Sequence, residues 1–194
     1  MSDDIISFNT EEQVQKQLNV LHGIPENVYK LVPENDPILS QVMPEWDFKN
    51  PPMDPTELAS GLVETCKLHR GYGLSANQCG LPYRVFVMGY EDEYVAFFNP
   101  SIVLASKKEV HMAEGCLSFP FLGLHITRPE EIAVTYQDFK GEWKQSTFNG
   151  LSARCFQHEL DHMNGIVYTK KVKPMALQTG MQKRNKIMKK LKLK

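Results

Sequence analysis

The chain lacks a long hydrophobic run and lacks any sign of a secretion signal. None of its apolar stretches approaches the roughly 20 residues that a membrane-spanning helix needs. Its first residues are acidic, without the basic-then-apolar layout of a signal peptide. We therefore expect an intracellular protein of the cytoplasm, or of the host cytoplasm if the source is viral, with no membrane partner.

Cysteine is also scarce. Four cysteines in 194 residues, with no secretion signal, indicate free thiols or metal ligands rather than a disulfide framework. They are Cys66, Cys79, Cys116 and Cys155.

Acidic residues are absent from Lys170 onward, where ten Lys and Arg residues lie. Residues 1–169 hold 12 basic and 23 acidic residues, a formal net charge of −11, although the whole chain carries only −1. A basic tail on an acidic body indicates an anionic partner such as RNA. A charged end that only improves solubility is the alternative.

The length and a composition of 42% hydrophobic and 23% charged residues fit one domain with a sizeable core. Asp54 and Pro55 predict the start of a helix that runs to about His69. Asn149 predicts the cap of a second helix, which ends near Gly165. A third, strongly basic helix is predicted after Pro174.

Between the first two helices, turn residues separate short runs that are typical of strands. These runs are residues 84–88, 94–98, 101–105, 124–127, 131–136 and 143–148, with Asn99-Pro100 ending the second and residues 71–78 read as a loop.

The pattern predicts an α+β fold. Short antiparallel strands surround a central metal-binding helix, with an N-terminal helix and a basic C-terminal helix. Residues 1–29, with a weakly amphipathic stretch at 11–21, are interpreted as an extension. Residues 30–170 are interpreted as the catalytic domain, and 171–194 as a basic helical tail.

Residues 158–162 read His-Glu-Leu-Asp-His, the H-E-x-x-H pattern. On a helix this spacing puts His158 and His162 on one face, where both can bind one metal ion, with Glu159 beside it to handle protons. A surface helix with solvated side chains is the alternative. The 32 residues after His162 contain no Asp, Glu, His or Cys, so any third ligand must come from upstream.

Among the upstream candidates, Cys116 stands out because residues 114–118 read Glu-Gly-Cys-Leu-Ser, with a nearby acid and a glycine that permits close approach of the backbone. Cys155 lies one turn before His158, and joining both histidines from the same helix would strain the geometry. Two His and one Cys leave a fourth position open for water, as in catalytic sites. The other candidates are His22, His69, His111, His125, Cys66 and Cys79.

Three motifs in order resemble the peptide deformylase family. Residues 71–78 read Gly-Tyr-Gly-Leu-Ser-Ala-Asn-Gln against that family's G-x-G-L-A-A-x-Q, and residues 114–118 and 158–162 match its E-G-C-L-S and H-E-x-D-H. Residues 35–39, Asn-Asp-Pro-Ile-Leu, resemble its D-P-x-L segment. The resemblance covers about residues 30–170.

The resemblance implies a hydrolase that removes the formyl group from the N-terminal methionine of newly made peptides and releases formate. Cys116, His158 and His162 would hold one divalent metal, with Fe2+ as the native ion and Zn2+, Ni2+ or Co2+ able to replace it. Glu159 would take a proton from the metal-bound water and later pass it to the leaving amine. The side chain of Gln78 and the backbone N–H of Leu117 would stabilise the oxyanion.

Six further residues are candidates for binding the N-formylmethionyl peptide. Gly71 and Gly73 would let the substrate pair as an added strand, and Tyr72, where the family usually has Val or Ile, would reshape that wall. The other three are Glu114, which orients a neighbour or pairs with an Arg such as Arg154; Arg154 itself; and Leu151, which lines the methionine pocket or packs in the core.

Two other positions depart from the family pattern. Ser75 replaces the first Ala of the glycine-rich motif, a small change that we expect to be tolerated. Gly123 stands where many bacterial members have an Arg, which removes any contact of that Arg with the peptide. By analogy with members whose C-terminal helix docks on the ribosome, residues 170–194 are a candidate ribosome contact.

Two other functions compete with this interpretation. A zinc metalloprotease shares H-E-x-x-H, but such families usually place a His or Glu ligand after the motif. A catalytically inactive relative that binds ribosomes through its tail is the second, although every expected ligand and Glu159 are present.

Overall fold

The computed structural model describes residues 27–192. Its three α-helices are α1 (Pro55–Leu68), α2 (Gly150–Met163) and α3 (Pro174–Lys190), and short 3-10 helices cover Pro37–Ser40, Ala76–Cys79 and Tyr168–Lys171. The strands are β1 (Gly73–Ser75), β2 (Val85–Tyr90), β3 (Glu93–Ala105), β4 (Glu109–Cys116), β5 (Phe119–Pro129), β6 (Glu131–Gln137) and β7 (Trp143–Asn149). The predicted α+β class is confirmed.

The strands form two antiparallel sheets. The larger has the order β1-β2-β3-β6-β7, and the smaller is the ribbon β4-β5. Helix α2 packs across the larger sheet and also contacts β5, so it lies between the two sheets. Within the described residues, no helix combines the length and apolar character needed to cross a membrane.

Three apolar clusters hold these layers together. Phe156 of α2 packs edge-on against Phe86 and Phe97 of the large sheet, with ring centroids 5.1 and 5.3 Å away. Helix α1 packs Leu58 and Leu62 against β1 and β2 in a second cluster. The third lies between the ribbon and the C-terminal segment. The first two fix where α2 and β1 stand, and these two elements carry most of the site.

Helix α1 begins as predicted, since the Asp54 carboxylate accepts hydrogen bonds from the N–H groups of Thr56 and Glu57. Helix α2 differs in one detail. Asn149 is its N-cap residue, but its side chain makes no capping hydrogen bond. A glycine in the left-handed region, Gly165 with φ of 68°, follows α2 as predicted.

The predicted break at Asn99-Pro100 is wrong, because β3 runs through it. Asn99 has a φ of 49°, and its side chain bonds both backbone groups of Trp46 and the side chain of Gln137. These bonds hold an irregularity in the pairing of β3 with β6 instead of ending the strand. A local signal for a turn was therefore overridden by tertiary contacts.

Two further strands escaped the sequence analysis. Residues 71–78 are not a plain loop, because they contain β1 and a 3-10 helix. Strand β4 was missed, although it ends at Cys116. The predicted amphipathic stretch at residues 11–21 lies outside the described residues.

Candidate active site

Three potential metal donors meet between the two sheets. His158 and His162 lie on successive turns of α2, and Cys116 is the last residue of β4. One side-chain donor atom from each of the three lies within 4.8 Å of the other two. The Sγ of Cys116 is 3.4 Å from Nε2 of His162. Residues far apart in sequence therefore form one compact donor set.

The donor set fits a divalent metal. A thiol and two imidazoles are ligands that iron, nickel and zinc accept, and three donors leave an open position. Nδ1 of His158 lies 3.1 Å from Oε2 of Glu114, which favours a proton on Nδ1. The other ring nitrogen, Nε2, is then unprotonated and can bind a metal. Nδ1 of His162 is buried with no partner in the described part of the chain.

Glu114 anchors a buried network of charges behind His158. Arg128 donates to both of its carboxylate oxygens, at 2.6 and 2.8 Å, and Arg154 donates to Oε1. Arg128 also reaches Asp161 of α2 at 2.8 Å. Burial alone would raise the pKa of Glu114, but the bonds from Arg128 and His158 outweigh it and lower the pKa to about 2.

Arg128 is a site residue that the sequence analysis missed. A signal was present, because Leu122, Leu124 and Ile126 alternate on the buried face of β5 and Arg128 continues that alternation. A charged residue on a buried strand face needs a partner. Its partners come from another strand and from α2, which the sequence alone does not pair.

Glu159 is buried beside the donor set and has few polar neighbours. Its Oε2 accepts a hydrogen bond of 2.7 Å from the hydroxyl of Ser75. Burial raises its pKa above the usual range, against the opposing effects of His158 and of the Ser75 bond. A Cβ on Gly73 would lie 2.5 Å from Oε1 of Glu159, so a larger residue here would displace that carboxylate.

Ser75 therefore has a contact that the sequence analysis did not anticipate. Where the family usually has Ala, Ser75 adds a hydroxyl that donates to the carboxylate of Glu159. Ser75 is fully buried in this position.

Gln78 lies next to Cys116. Its Nε2 is 3.0 Å from Oγ of Ser118 and 3.4 Å from Sγ of Cys116, and its Oε1 accepts from the N–H of Ser75. Leu117 lies between β4 and β5 and lines the same cavity. The structure thus brings both predicted oxyanion donors to the rim of the donor set.

A cavity of about 640 Å³ opens onto these residues. This volume is in the range of small-molecule sites, and several elements supply its walls. These elements include the β1 edge, the end of β4, the start of β5 and helix α2. The lining contains all six predicted substrate-binding residues: Gly71, Tyr72, Gly73, Glu114, Leu151 and Arg154.

The six residues are not equivalent. Both oxygens of Glu114 are already bonded to Arg128, Arg154 and His158, so it borders the cavity as a support. The carbonyl of Gly71 accepts from the hydroxyl of Tyr94 at 2.8 Å, and its N–H donates to Cys66. Both backbone groups of Gly71 are therefore engaged within the protein.

The backbone N–H and C=O of Gly73 lie on the edge of β1 that no other strand pairs with in the described residues. The N–H of Gly89 donates to the carbonyl of Tyr72, which makes Tyr72 and Gly89 a hydrogen-bonded pair. In an antiparallel ladder the next pair, Gly73 and Met88, is then of the non-bonded type. The N–H and C=O of Gly73 consequently point away from β2, toward the cavity that Gly73 lines.

The other candidate ligands do not join the donor set. Burial raises the pKa of the Cys155 thiol well above its ordinary value, which favours the neutral thiol over a metal-binding thiolate. Exposed His111 and His125 are neighbours on the ribbon, with tilted rings whose centroids are 5.5 Å apart. His69 lines the cavity, and His22 lies outside the described residues.

The fold and the site together define a class, the metal-dependent hydrolases whose H-E-x-x-H helix meets an upstream cysteine. A family model described as "Polypeptide deformylase" matches residues 28–178. The peptide deformylase of Thermotoga neapolitana is 41% identical over 113 residues, which cover 58% of this chain and 69% of that protein. That of Wolbachia pipientis wMel is 35% identical over 146 residues, covering 69% and 82%.

Solved structures of peptide deformylases have a similar fold. A peptide deformylase from Legionella pneumophila superposes with a TM-score of 0.77 at 28% identity, covering 86% of this chain and 99% of that one. A peptide deformylase from Synechococcus elongatus, in complex with actinonin, gives 0.75 at 28% identity, covering 81% and 86%.

The chain belongs to the peptide deformylase family. This family is metal-dependent, and its enzymes remove the formyl group from the N-terminal methionine of new peptides. The predicted family and enzyme class are thereby confirmed, and the metalloprotease interpretation is not supported.

Proposed function

We propose that this deformylase works through a divalent metal held by Cys116, His158 and His162, with Glu159 as the group that moves protons. The observation that carries the proposal is the convergence of three donor atoms within 4.8 Å beside a buried carboxylate. We take Fe2+ as the native ion. Zn2+, Ni2+ and Co2+ could replace it, because a site of one Cys and two His residues accepts all of these metals. A divalent metal here would lower the pKa of a coordinated water and polarise the formyl carbonyl.

Glu159 accepts a proton from the attacking water and later donates it to the leaving amine. Two features support this role. Its burial raises its pKa, which favours a carboxylate that takes up a proton readily. The hydroxyl of Ser75 and the close approach of Gly73 hold the carboxylate in one orientation. Ser75 acts here as a positioning residue.

Gln78 and Leu117 stabilise the negative charge that develops on the formyl oxygen. The Gln78 amide has two N–H protons, one directed at Ser118 and the other toward Cys116. The second proton is the one that an oxygen close to Cys116 would accept. Because Ser75 donates to Oε1 of Gln78, the amide cannot rotate without losing that bond.

The substrate backbone pairs with the free edge of β1. Gly73 offers an N–H and a C=O for this pairing, whereas Gly71 has both groups engaged by its own protein. The methionine side chain then enters the cavity between Leu151, Leu117 and the start of β5. Arg154 and Glu114 support the cavity from behind rather than bind the peptide, because they bond each other.

The test is formate release from formyl-methionyl peptides, together with metal analysis of protein purified without oxygen. We expect stoichiometric metal and formate release that disappears in Glu159→Ala. Internal cleavage of the peptide would indicate a protease instead. Inertness with Fe2+, Ni2+ and Zn2+ alike would indicate an inactive relative.

The ribosome is the proposed partner of the basic tail, residues 170–194. Lys183, Lys186 and Lys189 of α3 are exposed, and the helix is fastened to the ribbon through Arg184. This leaves a positive face free on an otherwise acidic chain. Such a contact would bring the enzyme to new peptides in the cytoplasm. Replacing these lysines with glutamate should abolish salt-sensitive co-sedimentation with ribosomes without changing formate release from short peptides.

A further inference from the structure

Two exposed histidines lie next to each other on the β4-β5 ribbon, outside the donor set. His111 of β4 pairs with Thr127 of β5, and Ala113 pairs with His125, so the two histidines are diagonal neighbours across the ladder. Both side chains are on the exposed face of the ribbon, because residues that alternate with them, such as Ile126, are buried. The proposed function uses neither histidine.

The spacing of the two rings is that of a metal-binding pair. The ring centroids of His111 and His125 are 5.5 Å apart, and those of His158 and His162, the pair proposed to share the metal, are 5.2 Å apart. Because both ribbon rings are exposed, each can turn about its side-chain bonds and direct one nitrogen at a common ion. The ribbon pair therefore has the reach to hold one ion between its rings.

One ring of the pair is already oriented by the protein. Nδ1 of His111 lies 3.0 Å from the hydroxyl oxygen of Thr127. When Nδ1 donates its proton to this hydroxyl, Nε2 is free to bind a metal, and metal-binding histidines are usually held in this way. The pairing of the two strands is continuous from Glu109 to Glu114, so little backbone ordering is needed when an ion binds.

We propose that His111 and His125 form a second metal site, which takes a divalent transition cation such as Ni2+, Cu2+ or Zn2+. Imidazole suits these ions, whereas Mg2+ and Ca2+ prefer oxygen ligands. The site has no thiolate and is open to water, so it should bind its ion more weakly than the donor set at Cys116 does. An ion that joins β4 to β5 would also stiffen the ribbon, whose strand β4 ends at Cys116.

The test is a titration with Ni2+ of the full chain, purified without a histidine tag and already loaded with one equivalent of Ni2+. Calorimetry should show a second, weaker equivalent, and the thermal unfolding midpoint should rise as it binds. His111→Ala and His125→Ala should each lose the second equivalent and this rise. Both variants should keep the first equivalent and release formate from formyl-methionyl peptides as the wild type does.

Two further variants sharpen the assignment. Thr127→Val should weaken the second equivalent roughly 10-fold, because it removes the group that orients His111. His69→Ala removes the remaining exposed histidine of residues 27–192 and should keep the second equivalent, which controls for binding by a single imidazole. Mg2+ in place of Ni2+ should give no heat of binding at the pair.

The site is overturned if the wild type binds only one equivalent of Ni2+, or if either His111→Ala or His125→Ala keeps the second equivalent at full affinity. Loss of the second equivalent in His69→Ala would also overturn it, because binding would then need a residue outside the pair. Equal binding of Mg2+ would contradict the ligand chemistry. Absence of the first equivalent or of formate release, with the second equivalent intact, would instead overturn the proposed function alone.

Discussion

Helices α2 and α3 are of similar length but are attached to the protein in opposite ways. Ten of the 14 residues of α2 are buried, among them five polar or charged side chains that the site uses. Of the 17 residues of α3, only Gly180 and Arg184 are buried. The comparison shows that burial of charge follows function here, since α2 carries the donor set and α3 presents lysines to solvent.

The polar contacts that attach α2 and α3 to the rest of the protein also differ in kind. Charged groups of α2 are surrounded by partners, such as Asp161 with Arg128 and Arg154 with Glu114. Helix α3 is fastened at Arg184, which donates to the carbonyl of Pro120 and pairs with the half-exposed Glu34. Removing Arg128 leaves two buried carboxylates with fewer cations, Glu114 with Arg154 and Asp161 with Lys171, whereas Glu34 can turn to water.

The largest effect should come from Arg128→Met. Glu114 and Asp161 would lose their shared cation while remaining buried. We expect the free energy of unfolding to fall by about 3–5 kcal/mol and bound metal to be lost, because His158 is oriented through Glu114. Urea unfolding and metal analysis measure both.

A surface pair is the control for Arg128→Met. Lys108→Met removes an exposed partner of Glu130, and the unfolding midpoint should not move. Equal destabilisation by the two variants would contradict the contrast between buried and exposed charges.

Gly73→Ala should be next in effect. Its Cβ would approach Oε1 of Glu159 to 2.5 Å and Sγ of Cys155 to 2.8 Å. Displacement of the carboxylate by about 1 Å should lower kcat/KM roughly 100-fold. Gly123→Ala is the matched control in the same cavity, since a Cβ there meets nothing within 4 Å. Full activity of Gly73→Ala would show that the position of Glu159 is not critical.

Ser75→Ala tests the hydrogen bond between β1 and α2. The bond reaches an ionisable carboxyl at 2.7 Å in a buried site. We expect kcat to fall roughly 10-fold with little change in KM, because bonds to charged groups contribute about 1.5–3 kcal/mol. Steady-state kinetics separates the two parameters. A rise in KM alone would assign Ser75 to substrate binding instead of to the orientation of Glu159.

The smallest effect should come from α3. Arg184→Ala removes the bond to Pro120, which lines the cavity at the candidate active site, and the pair with Glu34. Because Glu34 is half exposed, we expect a loss of only about 1 kcal/mol of stability and a modest rise in KM. Lys186→Ala, on the exposed face, should change neither quantity. A loss of kcat in Arg184→Ala would show that α3 supports the chemistry as α2 does.

Local patterns predicted much of this molecule. The cap at Asp54, the Gly165 end of α2 and the strands at residues 131–136 and 143–148 appear where turn chemistry and alternation placed them. The failure at Asn99 has a tertiary cause. Asn99 carries a local signal for a break, but bonds to Trp46 and Gln137 from distant segments keep β3 continuous.

In the candidate site, too, local patterns predicted some features and tertiary contacts decided the others. The spacing of His158, Glu159 and His162 and the lack of any ligand downstream pointed to an upstream third donor, and the deformylase resemblance pointed to Cys116. Neither pattern indicated that Arg128 would share Glu114 with Arg154, or that Ser75 would bond Glu159. These contacts join residues 14 to 84 positions apart in the chain.

By itself the sequence determined the fold class and indicated which residues are candidates for the chemistry. Periodicity, caps and motif spacing are properties of neighbouring residues, so they can be read without coordinates. The tertiary structure alone decided which partners compensate each buried charge and which glycine of β1 keeps its backbone groups unpaired. These features depend on the packing of α2 between two sheets, which brings β1, β4 and β5 close to one helix.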